Sequence, residues 1–232
     1  MRSVRVFHIG DMQNGFIRES GTLYVDGSSA LIDRANEFIR QVNPDFFDYS
    51  LLILDTHFSE EYFQSEESAQ FPIHCEYNTH DWELSIDVSG LPHRHYLTKN
   101  RFDMWGEQEN REVVFQTQER RSAYQHLFHV VDDPYQPVRS VPRDLFMQEL
   151  CQGQSPQPLE VTMIGVAADY CIRYAIEGWL ARGARVTLLH DLIKGIGKEM
   201  AEVLDEEAYQ YYGPDQLRLV SSTEFLDEMN RS

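Results

Sequence analysis

Four predicted β-strands end at side chains that could do chemistry. In chain order these side chains are Asp11, Asp55 with His57, Lys99, and Cys171. The carboxyl ends of parallel strands share one edge of an open α/β sheet, and ligands bind in the crevice beyond that edge. We therefore expect an acid, an acid with an imidazole, an amine and a thiol to meet at one place.

Cys171 is the strongest candidate for a nucleophile, because it stands in the first turn of a helix predicted directly after a strand. A helix N-terminus and a nearby lysine lower the pKa of a thiol, and the free N–H groups of such a turn could stabilise an oxyanion. The alternative is a small buried hydrophobic residue, the common state of a free cysteine. We expect Cys151, on an apolar helical stripe, to pack in the core, and Cys75, in a loop, to be structural or incidental.

Asp55 and His57 are a candidate pair of metal ligands, since residues two apart point to the same side of a strand. His74 and a nearby carboxylate could complete the ligand set. Imidazole and carboxylate ligands with open water positions suit zinc, manganese or iron in an active site. A single Asp-x-His pair also occurs without a metal, just as a solvated lysine or a turn-forming aspartate is the ordinary role for Lys99 or Asp11.

The elements that must position these residues follow from the hydrophobic pattern. Short apolar runs predict six strands, at residues 4–9, 51–54, 95–99, 159–166, 185–189 and 217–220. Helical periodicity predicts helices at residues 28–42, 119–128, 141–151, 168–181, 198–211 and 222–229. Strands that alternate with helices predict an α/β fold, with a parallel sheet covered on both faces.

Two long stretches fit this pattern poorly. Residues 58–90 are mostly irregular, polar and acidic, and a loop of that length in a compact chain is usually functional or disordered. Residues 100–140 are rich in charge and, apart from the predicted helix, are hard to assign. Gly195 and Gly197 begin like a dinucleotide-binding loop, but Met200 stands where the third glycine would be.

Composition limits the class of protein. The 232 residues predict one domain spanning residues 1–232, and the net charge of -18 disfavours both nucleic acid and an anionic membrane surface as partners. A hydrophobic content of 42% is too high for a disordered acidic chain. Three cysteines argue against a disulfide framework, and no signal-like segment precedes the first strand, so we expect a cytoplasmic protein.

Five segments carry a resemblance to a known family. They are DMQNGF at residues 11–16, LDTH at 54–57, FPIHC at 71–75, TK at 98–99 and GVAADYC at 165–171. In this order and at these spacings, the chain resembles the isochorismatase-like cysteine hydrolases and, within them, most of all the nicotinamidases. The resemblance implies a Rossmann-like three-layer sandwich with a six-stranded, mostly parallel sheet.

The resemblance also implies the roles of the site residues. It implies a catalytic triad of Asp11, Lys99 and Cys171, and a cis peptide bond between Val166 and Ala167. In the family this bond turns backbone N–H groups toward the oxyanion, and the matching groups here belong to Ala167 and Cys171.

A metal site is implied as well, with zinc expected and manganese or iron as alternatives. Three of its ligands match by position: Asp55, His57 and His74. The family places a histidine or glutamate between the Asp-x-His pair and the later histidine. Glu67, seven residues before His74, fits best there, and Glu66 and Glu61 are alternatives.

The implied activity is hydrolysis of nicotinamide to nicotinate and ammonia through a cysteine thioester. Phe16 and Phe71 match aromatic positions beside the nicotinamide ring. Residues 78–84 depart from the family's glycine pattern and residues 100–140 are unusually long, so the substrate is less determined than the chemistry. Three alternatives stay open. The substrate could be another small amide or ureido compound, it could be isochorismate, or the chain could be a non-catalytic binding module on the same fold. The expected partners are a small-molecule amide and further copies of the chain in a homo-oligomer.

Overall fold

One β-sheet runs through the computed structural model, which describes residues 3–108, 112–152 and 158–231, without the side chains of residues 151 and 152. Its eight strands among the described residues are β1 (Val4–Gly10), β2 (Tyr49–Asp55), β3 (Arg94–Lys99), β4 (His129–Val131), β5 (Ser140–Pro142), β6 (Leu159–Val166), β7 (Arg185–Lys194) and β8 (Leu217–Val220). They lie in the order β5-β4-β3-β2-β1-β6-β7-β8.

The six predicted strands are the parallel part of this sheet, from β3 through β1 to β8. The expected count of six is corrected to eight, because β4 pairs antiparallel with β3 and β5 antiparallel with β4. Each added strand has only three residues. Such a run is too short to show a period-2 pattern. β4 becomes a strand by pairing with the edge of β3, and β5 by pairing with β4.

Helices cover the sheet. They are α1 (Asn14–Ile17), α2 (Leu31–Gln41), α3 (Gln118–Gln125), α4 (Arg143–Gln152), α5 (Cys171–Ala181), α6 (Met200–Leu204) and α7 (Ser222–Met229). The prediction for residues 222–229 is confirmed, with Ser221 accepting a hydrogen bond from the backbone N–H of Glu224 in a capping box. The predicted core position of Cys151 concerns a side chain outside the described part of the chain.

Two predicted helices differ from the structure, and one observed helix was not predicted. The helix predicted at 168–181 begins only at Cys171, because the residues before it form the turn after β6. The prediction of one helix over residues 198–211 is wrong, since α6 ends at Leu204 and only a 3₁₀ turn, Glu207–Tyr209, follows. The short α1 was not predicted, because four residues do not show helical periodicity.

The two faces of the sheet pack against different helices. Phe7 and Ile9 of β1 belong to one apolar cluster, together with Phe38 of α2 and Phe225 of α7. Val6, which points the other way, belongs to a second cluster with residues of α4 and α5. The fold is therefore the expected three-layer α/β sandwich. Within the described ranges, no helix is long and apolar enough to cross a membrane.

Part of the segment 100–140, which the sequence left hard to assign, packs against α5. Trp105 packs flat on Gly178 of α5, where a Cβ would lie 1.9 Å from the indole Nε1. The buried guanidinium of Arg143 donates to the carbonyl oxygens of Met104 and Gly106 at 2.5 and 2.6 Å. These contacts hold the chain that follows β3 close to the edge of the sheet where Lys99 lies.

Candidate active site

Asp11, Lys99 and Cys171 meet beyond the carboxyl edge of the sheet, as their places at strand ends predict. The ammonium Nζ of Lys99 lies 3.0 Å from Oδ2 of Asp11 and 3.5 Å from Sγ of Cys171. All three side chains are buried. Asp11 has a φ of 51°, in the left-handed region, directly after β1. The arrangement places a base, a cation and a thiol within reach of one reacting group.

Burial sets the resting charge of these groups. Burial raises the pKa of the Asp11 carboxyl, against the pull of Lys99. Burial opposes the charge on Lys99, but Asp11 and Asp55 outweigh it and raise the pKa of the amine well above its usual value. The expected lowering of the Cys171 pKa is not found: burial, followed by the charge of Asp11, raises it well above the usual range despite Lys99. A thiol whose pKa is raised in this way needs a base to become a nucleophile.

The turn between β6 and α5 carries the predicted oxyanion groups. The peptide bond between Val166 and Ala167 is cis. Tyr170 and Ile172 donate to the carbonyl of Ala167, each at 3.1 Å. Within the described chain, the N–H groups of Ala167 and Cys171 donate to no backbone carbonyl, so both are available to a developing oxyanion.

Four buried side chains form a metal-ligand group beside the triad. They are Asp55, His57, Glu67 and His74, and their ligand atoms all lie within 4.8 Å of one another. Oδ2 of Asp55 is 3.2 Å from Nε2 of His57 and 3.1 Å from Nε2 of His74. Oε2 of Glu67 is 3.3 Å from Nε2 of His57. Two imidazoles and two carboxylates converging on one point are a ligand set that suits zinc, manganese or iron.

Three observations indicate that this group is suited to bind a cation. Both oxygens of Glu67 are buried, and among the described residues neither has a well-oriented hydrogen-bond donor. Although burial opposes a charge on His57, Asp55 and Glu67 raise its pKa to about 10, so the group attracts positive charge. Nδ1 of His74 lies 2.8 Å from the carbonyl of Pro72, an outer contact that leaves Nε2 to bind a metal.

The three candidates for the intermediate ligand separate in the structure. Glu67 lies in the group, whereas Glu66 is exposed. Glu61 is buried but accepts a hydrogen bond from Nδ2 of Asn100 at 3.1 Å. Geometry thus favours Glu67. Cys75 is buried beside His74, and its carbonyl accepts from the backbone N–H of His57.

Lys99 also connects the triad to the metal-ligand group, since its Nζ lies 3.2 Å from Oδ1 of Asp55. Burial opposes the charge on Asp55, but Lys99 and His57 outweigh it and hold the pKa of this carboxyl well below its usual value. The two halves of the site therefore share one buried charge network.

Aromatic rings line the site. Phe16 lies 5.2 Å, between ring centroids, from His74. The ring centroid of Phe71 lies 5.8 Å from that of Phe102 and 5.6 Å from that of Tyr170. The centroids of Phe102 and Tyr170 are 5.1 Å apart. Phe16 thus lies beside a predicted metal ligand, and Phe71 lies beside Tyr170, the residue before Cys171. Phe102 was missed, because it lies in the segment that sequence patterns left unassigned.

Asp169 is a second residue whose role the sequence did not indicate. Its Oδ1 accepts from the N–H of Ile196 at 2.9 Å, and its Oδ2 accepts from Gly197 at 2.7 Å and Lys198 at 3.1 Å. A Cβ on Gly195 would lie 1.8 Å from the carbonyl oxygen of Lys198. The glycines that began like a dinucleotide loop therefore let this chain fold around the carboxylate of Asp169.

Comparison with known proteins adds evidence on the fold. No protein-family model and no curated protein matches the chain. Several solved structures do match it. PnC1 from L. infantum, in complex with nicotinate, is 19% identical with a TM-score of 0.62, over 95% of this chain and 94% of that one.

Two further structures show the range of activities on this fold. A pyrazinamidase of Pyrococcus horikoshii in complex with zinc is 22% identical with a TM-score of 0.60, over 94% of this chain and 98% of that one. An N-carbamoylsarcosine amidase from Thermoplasma acidophilum is 14% identical with a TM-score of 0.59, over 94% and 96%. The chain has the fold of nicotinamidases, pyrazinamidases and isochorismatase-like hydrolases, as the resemblance implied.

Proposed function

We propose that this chain is a cysteine amidohydrolase that converts nicotinamide and water into nicotinate and ammonia. The observation that carries the proposal is the position of Lys99, whose Nζ contacts Asp11, Cys171 and, through Asp55, the metal-ligand group. A binding module has no need for a base, a buried ammonium and a thiol in contact at the edge of a sheet.

In the acylation half of the reaction, Asp11 accepts the thiol proton while Sγ of Cys171 attacks the amide carbonyl carbon. Lys99 stabilises the negative charge that the proton transfer leaves on sulfur. The N–H groups of Ala167 and Cys171 donate to the oxyanion of the tetrahedral state. The C–N bond then breaks, Asp11 returns its proton to the leaving nitrogen, and ammonia departs from the thioester.

In the second half, a water molecule attacks the thioester carbon and gives a proton to Asp11. The C–S bond breaks, and the sulfur of Cys171 recovers the proton from Asp11 as the carboxylic acid leaves. The residues that would hold zinc, or manganese or iron, are Asp55, His57, Glu67 and His74. A bound ion would supply a Lewis acid that orients the ring nitrogen of a heteroaromatic amide.

Another small substrate is the alternative, and the N-carbamoylsarcosine amidase with this fold favours a ureido compound as the second candidate. Isochorismate fits less well. A cavity of about 450 Å³ opens beside the metal-ligand group. Its lining has one basic residue, Arg101, and four acidic residues, Glu61, Glu66, Glu67 and Asp103, and is therefore acidic in sum. Such a lining repels a dicarboxylate and accepts an uncharged amide.

The test is ammonia release from nicotinamide by the metal-loaded protein. We expect turnover by the wild type and by Cys151→Ala, which removes a thiol in α4, and none above background by Cys171→Ala. Equal turnover by Cys171→Ala would disprove the nucleophile. Hydrolysis of N-carbamoyl compounds without hydrolysis of nicotinamide would identify a ureido compound as the substrate. If no small amide is hydrolysed, a binding module is favoured. Light scattering on the same samples tests the proposed homo-oligomer.

A further inference from the structure

Arg120 of α3 joins the two loops that carry the metal-ligand group. Its Nη2 lies 2.6 Å from Oε2 of Glu60 and 2.8 Å from Oε1 of Glu76, and its Nε donates to Oε1 of Glu60 at 2.9 Å. Glu60 follows His57 by three residues, and Glu76 follows His74 by two. One guanidinium therefore bridges the loop after β2 and the loop that carries the second histidine.

The two loops also meet at His57 itself. The N–H of His57 donates to the carbonyl of Cys75 at 3.1 Å, and the N–H of Tyr77 donates to the carbonyl of His57 at 2.8 Å. This is a short parallel bridge of two hydrogen bonds, too short to hold its register alone. The distance between the imidazoles of His57 and His74 depends on that register. Arg120 adds a second link between the two loops through its ion pairs with Glu60 and Glu76.

Aromatic packing fixes α3 over the bridge. Phe58, the residue after His57, is fully buried, and its ring centroid is 5.5 Å from Tyr77 and 5.5 Å from Tyr124 of α3. The guanidinium carbon of Arg120 lies 5.5 Å from the Phe58 ring. A shift of α3 would therefore move the residue next to a metal ligand.

The ion pairs around Arg120 are partly shielded from water. The side chain of Arg120 is 17% exposed, that of Glu60 8% and that of Glu76 31%. The hydrogen bonds from Arg120 lower the pKa of Glu60 to about 2. A guanidinium that contacts both oxygens of one carboxylate also restricts geometry more than an ammonium can.

We infer that Arg120 is a positioning residue that raises metal affinity by holding the loops of His57 and His74 in register. The inference rests on the metal site of the proposed function and extends it to α3, a helix that carries none of the proposed ligands. Arg120 itself touches none of the proposed ligands.

The direction in which metal affinity changes on substitution of Arg120 distinguishes a positioning role from a purely electrostatic one. Removing a positive charge near a cation site would by itself strengthen metal binding. Loss of register would weaken it. Arg120→Ala is therefore expected to move the affinity in the direction opposite to the charge effect. Arg120→Lys keeps the charge but loses the two-oxygen contact, so a charge effect alone predicts no change for it.

The experiment is competition for Zn²⁺ between the metal-free 232-residue protein and a chromophoric chelator at neutral pH. Supporting residues around metal ligands typically contribute 10–100-fold to affinity, and we expect about tenfold weaker binding for Arg120→Ala. Arg120→Lys should fall between Arg120→Ala and the wild type. Arg121→Ala, which removes the same charge from the exposed next residue, should bind within about twofold of the wild type.

Each outcome decides one question. Wild-type affinity or tighter binding in Arg120→Ala overturns the inference, provided that circular dichroism shows a folded protein. If Arg120→Ala does not fold, Arg120→Lys decides: weaker binding supports positioning and unchanged binding overturns it. A role limited to global stability would change the urea midpoint and leave the affinity of the folded protein unchanged. If the wild type binds neither Zn²⁺, Mn²⁺ nor Fe²⁺, the metal site of the proposed function fails instead.

Discussion

The ammonium group of Lys99 is paired with two of the buried carboxylates of the site. It contacts the carboxylates of Asp11 and Asp55, which belong to the triad and to the metal-ligand group respectively. A buried charge persists only when it is paired, because removing one partner leaves the other uncompensated. Asp55 is thereby paired with a lysine, whereas Glu67, the other carboxylate of the metal-ligand group, faces only imidazoles within that group. That imbalance makes the ligand set directly testable.

Glu67→Gln should remove the metal. The amide keeps the shape of the side chain but supplies no charge, so we expect the affinity for Zn²⁺ to fall by more than the roughly hundredfold that a supporting residue contributes. Metal content after dialysis, measured by mass spectrometry, checks this. Glu66→Gln, an identical change on the exposed preceding residue, should retain its metal. Metal loss in Glu61→Gln with retention in Glu67→Gln would reassign the ligand to Glu61.

At the scale of elements, the site depends on the turns that follow the strands as well as on the strand ends themselves. The turn after β6 presents Cys171 and the proposed oxyanion groups, and it is tied in two ways to the end of β7 and the chain that follows. The N–H of Ala168 donates to the carbonyl of Lys194 at 2.9 Å, and the carboxylate of Asp169 accepts from three successive N–H groups. Neighbouring parallel strands thereby fix the geometry of the proposed nucleophile.

Asp169→Asn should lower kcat more than it raises KM. The amide nitrogen cannot accept a hydrogen bond, so at least one N–H of residues 196–198 loses its partner, at a cost of about 1–3 kcal/mol. Small displacements of a catalytic turn are expensive, and we expect kcat to fall by about tenfold or more. Steady-state kinetics on nicotinamide and a thermal melt measure the two effects.

The matched control is Asp191→Asn. Asp191 also anchors a backbone N–H, that of Ser222 at 2.7 Å, but it does so at the start of α7, which carries none of the site residues. This variant should lose stability and keep its kcat. Unchanged kcat in a folded Asp169→Asn protein would show that the turn holds its geometry without the carboxylate.

At the scale of the whole molecule, apolar strand runs and polar strand ends were enough to predict the parallel sheet and the meeting of Asp11, Lys99 and Cys171. Residues 100–140 were not predictable in the same way. Their structure comes from partners distant in sequence, such as Gly178 beneath Trp105 and Glu60 beside Arg120. Local patterns hold no information on those contacts. The pKa of Cys171 was mispredicted for a related reason, because burial depends on the whole fold.

His8 carries another consequence of burial. It lies in β1 at the centre of the sheet, 1% exposed, and Nε1 of Trp179 donates to its Nδ1 at 3.3 Å. Burial lowers the pKa of His8 to about 3, with a further contribution from the charge of Lys99. In the unfolded chain the pKa is about 6.5. Between these two values the unfolded state binds a proton that the native state does not, so acid favours unfolding.

The free energy of unfolding should therefore decrease as the pH is lowered below about 6.5. His8 alone contributes up to about 1.4 kcal/mol per pH unit to this decrease. His8→Gln removes this contribution and keeps an acceptor for Trp179, so its stability should fall less steeply between pH 6.5 and 4. His190→Gln, at an exposed position on β7, should follow the wild type. Urea unfolding at several pH values measures the slopes, and carboxylates contribute equally to all three proteins. Parallel curves for His8→Gln and the wild type would mean that the sheet accommodates a protonated His8.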